Sequence, residues 1–454
     1  MSNPGEADST PITSIRQLAD YIAVGCKPSE RFTIGTEHEK FGFRHSDFAT
    51  PPYAPDGIRA VLEGIAATGW EQILDNGNPI GLKRDSASVS LEPAGQLELS
   101  GGLVGDLHET RAEFEAHFED VRRAAEPLGL GFAPLGFHPR NTRAQMPWMP
   151  KGRYAIMRRY MPLVGSLGLD MMTRTCTVQV NLDYASEAEM VKKLRTSIAL
   201  QPVATALFAN SPFTEGKPNG YLSYRGHVWT DTDPHRSGIP AVFFEDGFGF
   251  ERYAAWLVDE VPMYFVSRDG RYVDLAGQSF RRFMQGQLGN QEAGTATMGD
   301  FADHMTTVFT DVRLKRFLEM RGADAGSLDM MVAQSALWVG ILYDDAALEA
   351  ASALVRRHHW TAFAALRPLV PRQALDTPWA NGTVRDLARD MVAIARDGLR
   401  ARARRDAQGR DETVHLAPLE ELVAGGPTQA ERWLSRFNGE WGGDITRIFA
   451  EAAI

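Results

Sequence analysis

The sequence predicts an α+β fold, with antiparallel strands early in the chain and helices that cover them and dominate the C-terminal third. Three observations carry this. Thr173–Tyr184 alternates strictly between apolar and polar residues, the period of a strand with two unlike faces. Leu82–Gly102 holds two short alternating runs around Pro-Ala-Gly-Gln, the pattern of a β-hairpin. After about residue 302 the spacing is mostly helical, as in DMMVAQSALWVGILYDDAALEAASALVRR.

In chain order, residues 1–12 are predicted to be a disordered polar tail, leaving 13–454 as a single domain. Thr13 or Ser14 caps a helix carrying Ile15, Leu18, Ile22 and Val24 that ends near Gly25. The stretch TIGTEHEKFGF (33–43) reads as a strand whose middle is charged. PPYAPDG (51–57) is a turn cluster before a helix over roughly 56–68. After the hairpin, residues 106–128 place Leu107, Phe114, Phe118 and Val121 on one helical face. In the 173–184 strand, Cys176, Val178, Val180 and Leu182 form one face and Thr175, Thr177, Gln179, Asn181 and Asp183 the other. Residues 186–209 are helical, 223–238 are polar and loop-rich, and 261–274 read as strand, turn, strand. EDGFGFER (245–252) reads as a turn.

Composition narrows the function. With 44% hydrophobic and 23% charged residues the chain is an ordinary globular one, and its net charge of -10 disfavours nucleic acid as a partner. The arginine-rich DGLRARARRDAQGRDE (397–412) reads as the end of a helix, where the dipole favours cations. No run of about 18 apolar residues marks a membrane span. Two cysteines make no disulfide framework, and the polar N-terminus has no apolar h-region; together these predict no signal or transit peptide and a cytoplasmic location.

The chemistry concentrates in carboxylates. Residues two apart in a strand share a face, so Glu37 and Glu39 point one way and His38 and Lys40 the other. An isolated E-x-E also suits a solvated or charge-guarded strand edge. The hairpin supplies Glu92 and Glu98, and its register decides whether they meet. A two-residue loop at Ala94-Gly95 puts them on opposite faces; a three-residue loop over Ala94–Gln96 pairs them on one. Clustered carboxylates suit Mg²⁺ or Mn²⁺, and the eleven histidines show no zinc-binding spacing. Gln179 and Asn181 are neutral groups able to hydrogen-bond an amino-acid substrate. Arg225, Arg236, Arg268 and Arg321 lie in polar segments beside aromatics, where a guanidinium can grip a carboxylate or phosphoryl group, though each also suits a surface ion pair. The chain has no P-loop, no Rossmann fingerprint and no G-x-S-x-G elbow. Cys176 reads as a core thiol.

GTEHEKFGF, SLEPAGQLELSG, MPKGRYAIMRRYMP, SLGLDMMTRTCTVQVNLDY, WTDTDPHRSG, VPMYFV, VRLKRFLEMRGAD and the closing NGEWG resemble the glutamate–cysteine ligases of the plant and proteobacterial type, in the family's order from about residue 13 to the C-terminus. The resemblance implies a glutamine-synthetase-like fold, a curved antiparallel sheet forming a funnel flanked by helices. It implies ATP-dependent joining of glutamate to cysteine through γ-glutamyl phosphate, the first step of glutathione biosynthesis, with ATP and Mg²⁺ as cofactors and Mn²⁺ as an alternative ion. The partners are then small molecules, and the protein a monomer or weak homodimer. Matched residue by residue, the family's pattern implies metal ligation by Glu37, Glu39, Glu92, Glu98 and Glu319, although LEPAGQLEL departs from the family's segment at Ala94 and Leu97. Arg321 is implied to act on the substrate carboxylate or transferred phosphoryl group, with Arg268 as a second catalytic arginine. Gln179, Asn181, Tyr264, Arg225 and Arg236 are implied to bind substrate, and Lys151 and Arg153 to contact phosphate. The extra cysteines of plant members are missing, so no intramolecular redox switch is expected. The competing readings are another carboxylate–amine ligase with a different amine, a two-metal hydrolase or phosphatase, and a non-catalytic amino-acid sensor.

Overall fold

A nine-stranded, wholly antiparallel sheet frames the chain, whose computed structural model describes residues 8–454. Its strands are β1 (Ile34–Arg44), β2 (Glu71–Asp75), β3 (Asn78–Arg84), β4 (Ala87–Leu91), β5 (Leu97–Ser100), β6 (Leu130–Ala133), β7 (Thr177–Leu182), β8 (Val312–Leu314) and β9 (Leu318–Asp324). The order is β8-β9-β7-β1-β5-β4-β3-β2, and β6 pairs with the second half of β1. Strand β1 is therefore shared by three ladders, to β5, β6 and β7.

Helices cover the sheet as expected. Ser14 caps α1 (Ile15–Ala23), its hydroxyl accepting from the Gln17 N–H. Next come α2 (Ile58–Ala66), α3 (Leu107–Ala125), α4 (Gly152–Val164), α5 (Gly168–Arg174), α6 (Glu187–Leu207) and the short α7 (Tyr224–Val228). The helix Leu328–Leu342 is apolar on nearly every side and is buried accordingly, packing on β1 and β7. Among the described residues, no helix is long and apolar enough to cross a membrane.

The rear face of the sheet is the core. Val89, Leu91, Leu97, Leu99, Val178, Val180 and Leu182 pack there with Phe114, Phe118 and Val121 of α3. The front face changes character along β1. Glu37 and Glu39 are followed by Phe41 and Phe43, which join a separate apolar cluster with Ala133, Trp441 and Phe449.

Several expectations need correction. The disorder predicted for residues 1–7 lies outside the described residues. Residues 8–12 are tied down: Met298 and Gly299 donate N–H groups to the carbonyls of Thr10 and Asp8, and Ile12 donates to Ala296. Thr173 belongs to α5, so the alternating strand starts only at Thr177. Cys176 is buried as expected, but with Phe41 and Phe43 rather than with Val178, because it precedes the strand. Strands β2 and β3 interrupt a stretch in which only Leu82 onward was expected to pair. Strands β8 and β9 lie in the region read as helical; they are too short, and β9 too irregular, to show a clean period of two.

Candidate active site

The hairpin's register settles where its carboxylates point. Leu91 pairs with Leu97, and the Glu92 N–H donates to the Gln96 carbonyl at 2.9 Å. The turn thus occupies Pro93–Gly95, one residue earlier than the three-residue loop considered above. Glu98 faces Ser90, not Glu92. The parity survives the shift, because Glu92 stands two residues beyond Ser90, so both glutamates share a face. Gln96 braces this turn against α5: its amide donates to the carbonyls of Met172 at 3.2 Å and Thr175 at 3.1 Å.

Across the sheet, the site-facing residues form rows. Ser90, Glu98 and Glu39 make one row over β4, β5 and β1. Ser100, Glu37 and Gln179 make a second over β5, β1 and β7. Asn181, Glu319 and Arg313 make a third over β7, β9 and β8. Above them lies a cavity of about 810 Å³, counted to its open mouth. Glu39, Glu92, Glu98 and Gln179 line its floor, and Arg225, Arg321, Arg313 and Arg153 its walls. Trp229, Tyr154, Met157, Met171 and Phe309 supply apolar surface. The described lining residues include no serine, cysteine, histidine or lysine.

Electrostatics divides the acidic groups into two sets. Burial and the neighbouring Glu92 and Glu98 push the Glu39 carboxyl well above its ordinary value. Its Oε2 accepts the Thr177 N–H at 3.0 Å, and Ser100 donates to Glu98 at 2.8 Å. This trio concentrates negative charge in one cavity. Glu319 is the reverse case. Burial raises it, but Arg313, Lys315 and Arg321 overcome that and hold it well below the usual carboxylate range. Arg313 grips both of its oxygens, at 2.5 and 2.8 Å, and Arg321 reaches Oε1 at 3.1 Å. Glu319 thus stands apart from the trio, as the anchor of a cationic cluster. Glu37 lies between the two sets, accepting from Asn181 at 2.9 Å and Gln179 at 3.4 Å.

A bulge aims Arg321. The β9–β7 register breaks between Met320 and Ala323, and the Arg321 N–H leaves the ladder for the Asp311 carbonyl at 3.1 Å. Its guanidinium then bonds the Gln179 side-chain oxygen and lies near the Trp229 ring. Arg225 reaches the same wall from α7 and donates to the Arg321 carbonyl at 2.9 Å. Lys151, at the head of α4, is buried with its amine on the Leu91 carbonyl at 2.6 Å. Burial, then the charge of Arg153, lowers it to about 7.

Three expected site residues sit elsewhere. Arg268 is held in a fork by Asp300, at 2.6 and 2.8 Å, and also donates to the Ala293 and Thr295 carbonyls, so it fastens the 290s loop and does not line the cavity. Arg236 is fully buried, bonded to Asp233, Thr307 and the Pro262 carbonyl and stacked 3.8 Å from the Tyr264 ring centroid. Tyr264 donates to Asp233 at 3.1 Å. Both brace the wall behind Thr307 rather than face the cavity. Arg313, Trp229, Gln96 and Tyr154 are lining residues that were not singled out in the sequence; Arg313 sits six positions before Glu319 in the quoted VRLKRFLEMRGAD.

His38 and Lys40 occupy the rear face. Both are fully buried beneath α3, where His38 meets Phe114, His117 and Phe118 edge-on. Lys40 donates to the Leu97 carbonyl at 3.2 Å, and burial lowers its amine to about 7.

Among the described residues, an acidic floor lies under arginine walls with no serine, cysteine or histidine lining the cavity, an arrangement suited to charged ligands. The model of the glutamate–cysteine ligase family 2 matches residues 33–451, and the chain belongs to that family. It is 49% identical over 444 residues to the chloroplastic glutamate–cysteine ligase of Nicotiana tabacum, covering 97% of this chain and 83% of the relative. The enzyme of Solanum lycopersicum is 50% identical over the same shares. In fold the chain is similar to the glutamate–cysteine ligase of Francisella tularensis solved with AMP, with a TM-score of 0.54 at 10% identity, covering 92% of this chain and 88% of that one. The relatives are chloroplastic, and this overturns the expectation of a cytoplasmic location.

Proposed function

We propose that the cavity joins the γ-carboxyl of L-glutamate to the amine of L-cysteine with ATP, through γ-glutamyl phosphate, giving γ-glutamylcysteine, ADP and phosphate. The observation that carries this is the trio Glu39, Glu92 and Glu98 facing Arg225, Arg321 and Arg153 across one cavity. Phosphoryl transfer between two anions needs alignment and charge neutralisation more than covalent help from the protein.

The donor set fits Mg²⁺ or Mn²⁺. It is all oxygen, and burial, then the charges of Glu92 and Glu98, raises the Glu39 carboxyl. Among the described residues no three acidic, histidine or cysteine groups already converge on one point. Glu39, Glu92 and Glu98 would hold the ion, with Glu37 at the margin. Bound there, a divalent cation neutralises phosphate charge and orients the nucleotide. Arg153, with Lys151 behind it, serves the nucleotide phosphates. Arg225 takes the α-carboxylate of glutamate, and Arg321 faces the γ-carboxyl as it becomes an acyl phosphate. Gln179 fixes Arg321 and, with Asn181, holds Glu37. Residues 13–454 act as one catalytic unit.

The test is ADP release with glutamate, ATP and Mg²⁺, with and without each of several amines. The expected result is ADP formation that requires glutamate and is fastest with cysteine. Phosphate release without any amine would show a hydrolase instead, and a better amine than cysteine would show a different ligase.

A further inference from the structure

We propose that Asp324 is a positioning residue for Arg225, orienting the segment that presents this guanidinium to the cavity. The inference rests on the reading of Arg225 as the glutamate carboxylate's partner.

Asp324 ends β9 and is 1% exposed. One of its oxygens accepts the Asn210 N–H at 2.9 Å and the Ser211 hydroxyl at 2.6 Å. The other accepts the Ser223 hydroxyl at 2.9 Å and lies 3.9 Å from an Arg225 nitrogen. A serine hydroxyl has one proton to give. Both serines give theirs to Asp324, which leaves their oxygens as acceptors. Ser223 then caps α7 by accepting the Gly226 N–H at 3.1 Å. Ser211 accepts the Arg225 N–H, also at 3.1 Å. The carboxylate thus sets the polarity of two hydroxyls, and these fix the backbone on either side of Arg225.

The guanidinium is held from behind and left open in front. Besides Asp324 it contacts the Arg321 carbonyl, while its Nε is buried with no hydrogen-bond partner and the side chain lines the cavity. Asp324 lies directly over Gly136, where a Cβ would come within 2.5 Å of its carboxyl carbon. The far side is also fixed, since Asn210 accepts the Trp433 indole N–H at 2.8 Å and donates to the Ala325 carbonyl at 2.8 Å.

An asparagine at 324 has nearly the same shape but replaces one acceptor with a donor. Facing the Ser223 hydroxyl, that donor reverses the hydroxyl's polarity and meets the Arg225 guanidinium donor to donor. Steady-state kinetics of Asp324→Asn, Arg225→Ala and the double variant, varying glutamate, cysteine and ATP in turn, test this. The expected result is a rise of about 10-fold or more in KM for glutamate in both single variants, with the KM values for ATP and cysteine little changed. The double variant should be no worse than Arg225→Ala, since the two groups act as a unit. If Asp324→Asn does not fold, Ser211→Ala removes the acceptor for the Arg225 N–H together with one of the donors to Asp324, and should show the same selective rise. A fall in kcat or melting temperature with glutamate KM unchanged, or additive losses in the double variant, would overturn the proposal. An unchanged glutamate KM in Arg225→Ala would instead overturn the assignment of Arg225.

Discussion

Glu39 and Glu98 stand directly opposite each other on the β1–β5 ladder, and both carboxyls face the cavity together with Glu92. Like charges placed this way are destabilising unless a proton or a cation intervenes. Under the proposed function, a divalent cation would take the place of that proton.

Glu39→Gln should lower Mg²⁺-dependent ADP formation by about 100-fold or more. It should also stabilise the metal-free protein at alkaline pH. The raised Glu39 group binds its proton more tightly when folded than when unfolded, so its stabilising contribution is complete below the unfolded value and is lost as pH rises through the folded one. Melting curves in chelator at pH 5 and at pH 8 check this: the variant's advantage should appear only at the higher pH.

Lys40 behaves oppositely because it is a base with a depressed value, about 7. Its contribution is complete above the unfolded value and declines as pH falls toward 7, where the unfolded chain binds a proton that the native amine does not. Lys40→Met, similar in length and uncharged, should therefore raise the melting temperature most near pH 7 and progressively less toward pH 10. A shift independent of pH would contradict a titrating buried amine.

Arg268→Ala tests the reassignment of that residue. Loss of the fork to Asp300 and of three carbonyl contacts should cost about 1–2 kcal/mol, given partial exposure. The KM values for glutamate and ATP should stay within about 3-fold of the parent. Urea unfolding and steady-state kinetics measure the two effects separately.

Cys26 and Cys176 are both free thiols, the first partly exposed and the second fully buried. Burial, then Glu39, pushes Cys176 well above the ordinary thiol range. A thiol reagent should modify Cys26 alone in the native protein and both after unfolding, and reductant should leave activity unchanged. Loss of activity on reduction would show a disulfide with a functional role.

The sequence revealed strands where alternation was long enough to count. β1, the hairpin and β7 showed themselves this way, and with them Glu37, Glu39, Glu92, Glu98, Gln179 and Asn181. Strand β9 did not, because a bulge breaks its period at the point where Arg321 must turn. The separation of Glu319 from the other carboxylates was hidden for a related reason. Its partner Arg313 lies on a three-residue strand, which no periodicity reveals. Arg268, Arg236 and Tyr264 were misplaced because an arginine beside an aromatic ring looks the same whether a substrate or a neighbouring aspartate takes its charge. Asp233 lies three residues from Arg236, but Asp300 lies 32 from Arg268, beyond any local pattern. The hairpin's one-residue offset depended on where the turn begins, and only the Glu92–Gln96 hydrogen bond fixes that.

The sharing of β1 by three ladders makes the sign of the site a matter of counting. Glu37 and Glu39 face the cavity side of the sheet, and His38 and Lys40 the core, by parity alone. One residue inserted or deleted between Ile34 and Glu37 would exchange these pairs as a block, placing Lys40 and His38 beside Glu92 and Glu98 and driving two carboxylates beneath α3. Substitutions here change one group at a time, whereas a change of length removes both β1 carboxylates from the cavity side in one step. Among variants of this chain, the segment should accept point replacements and exclude indels.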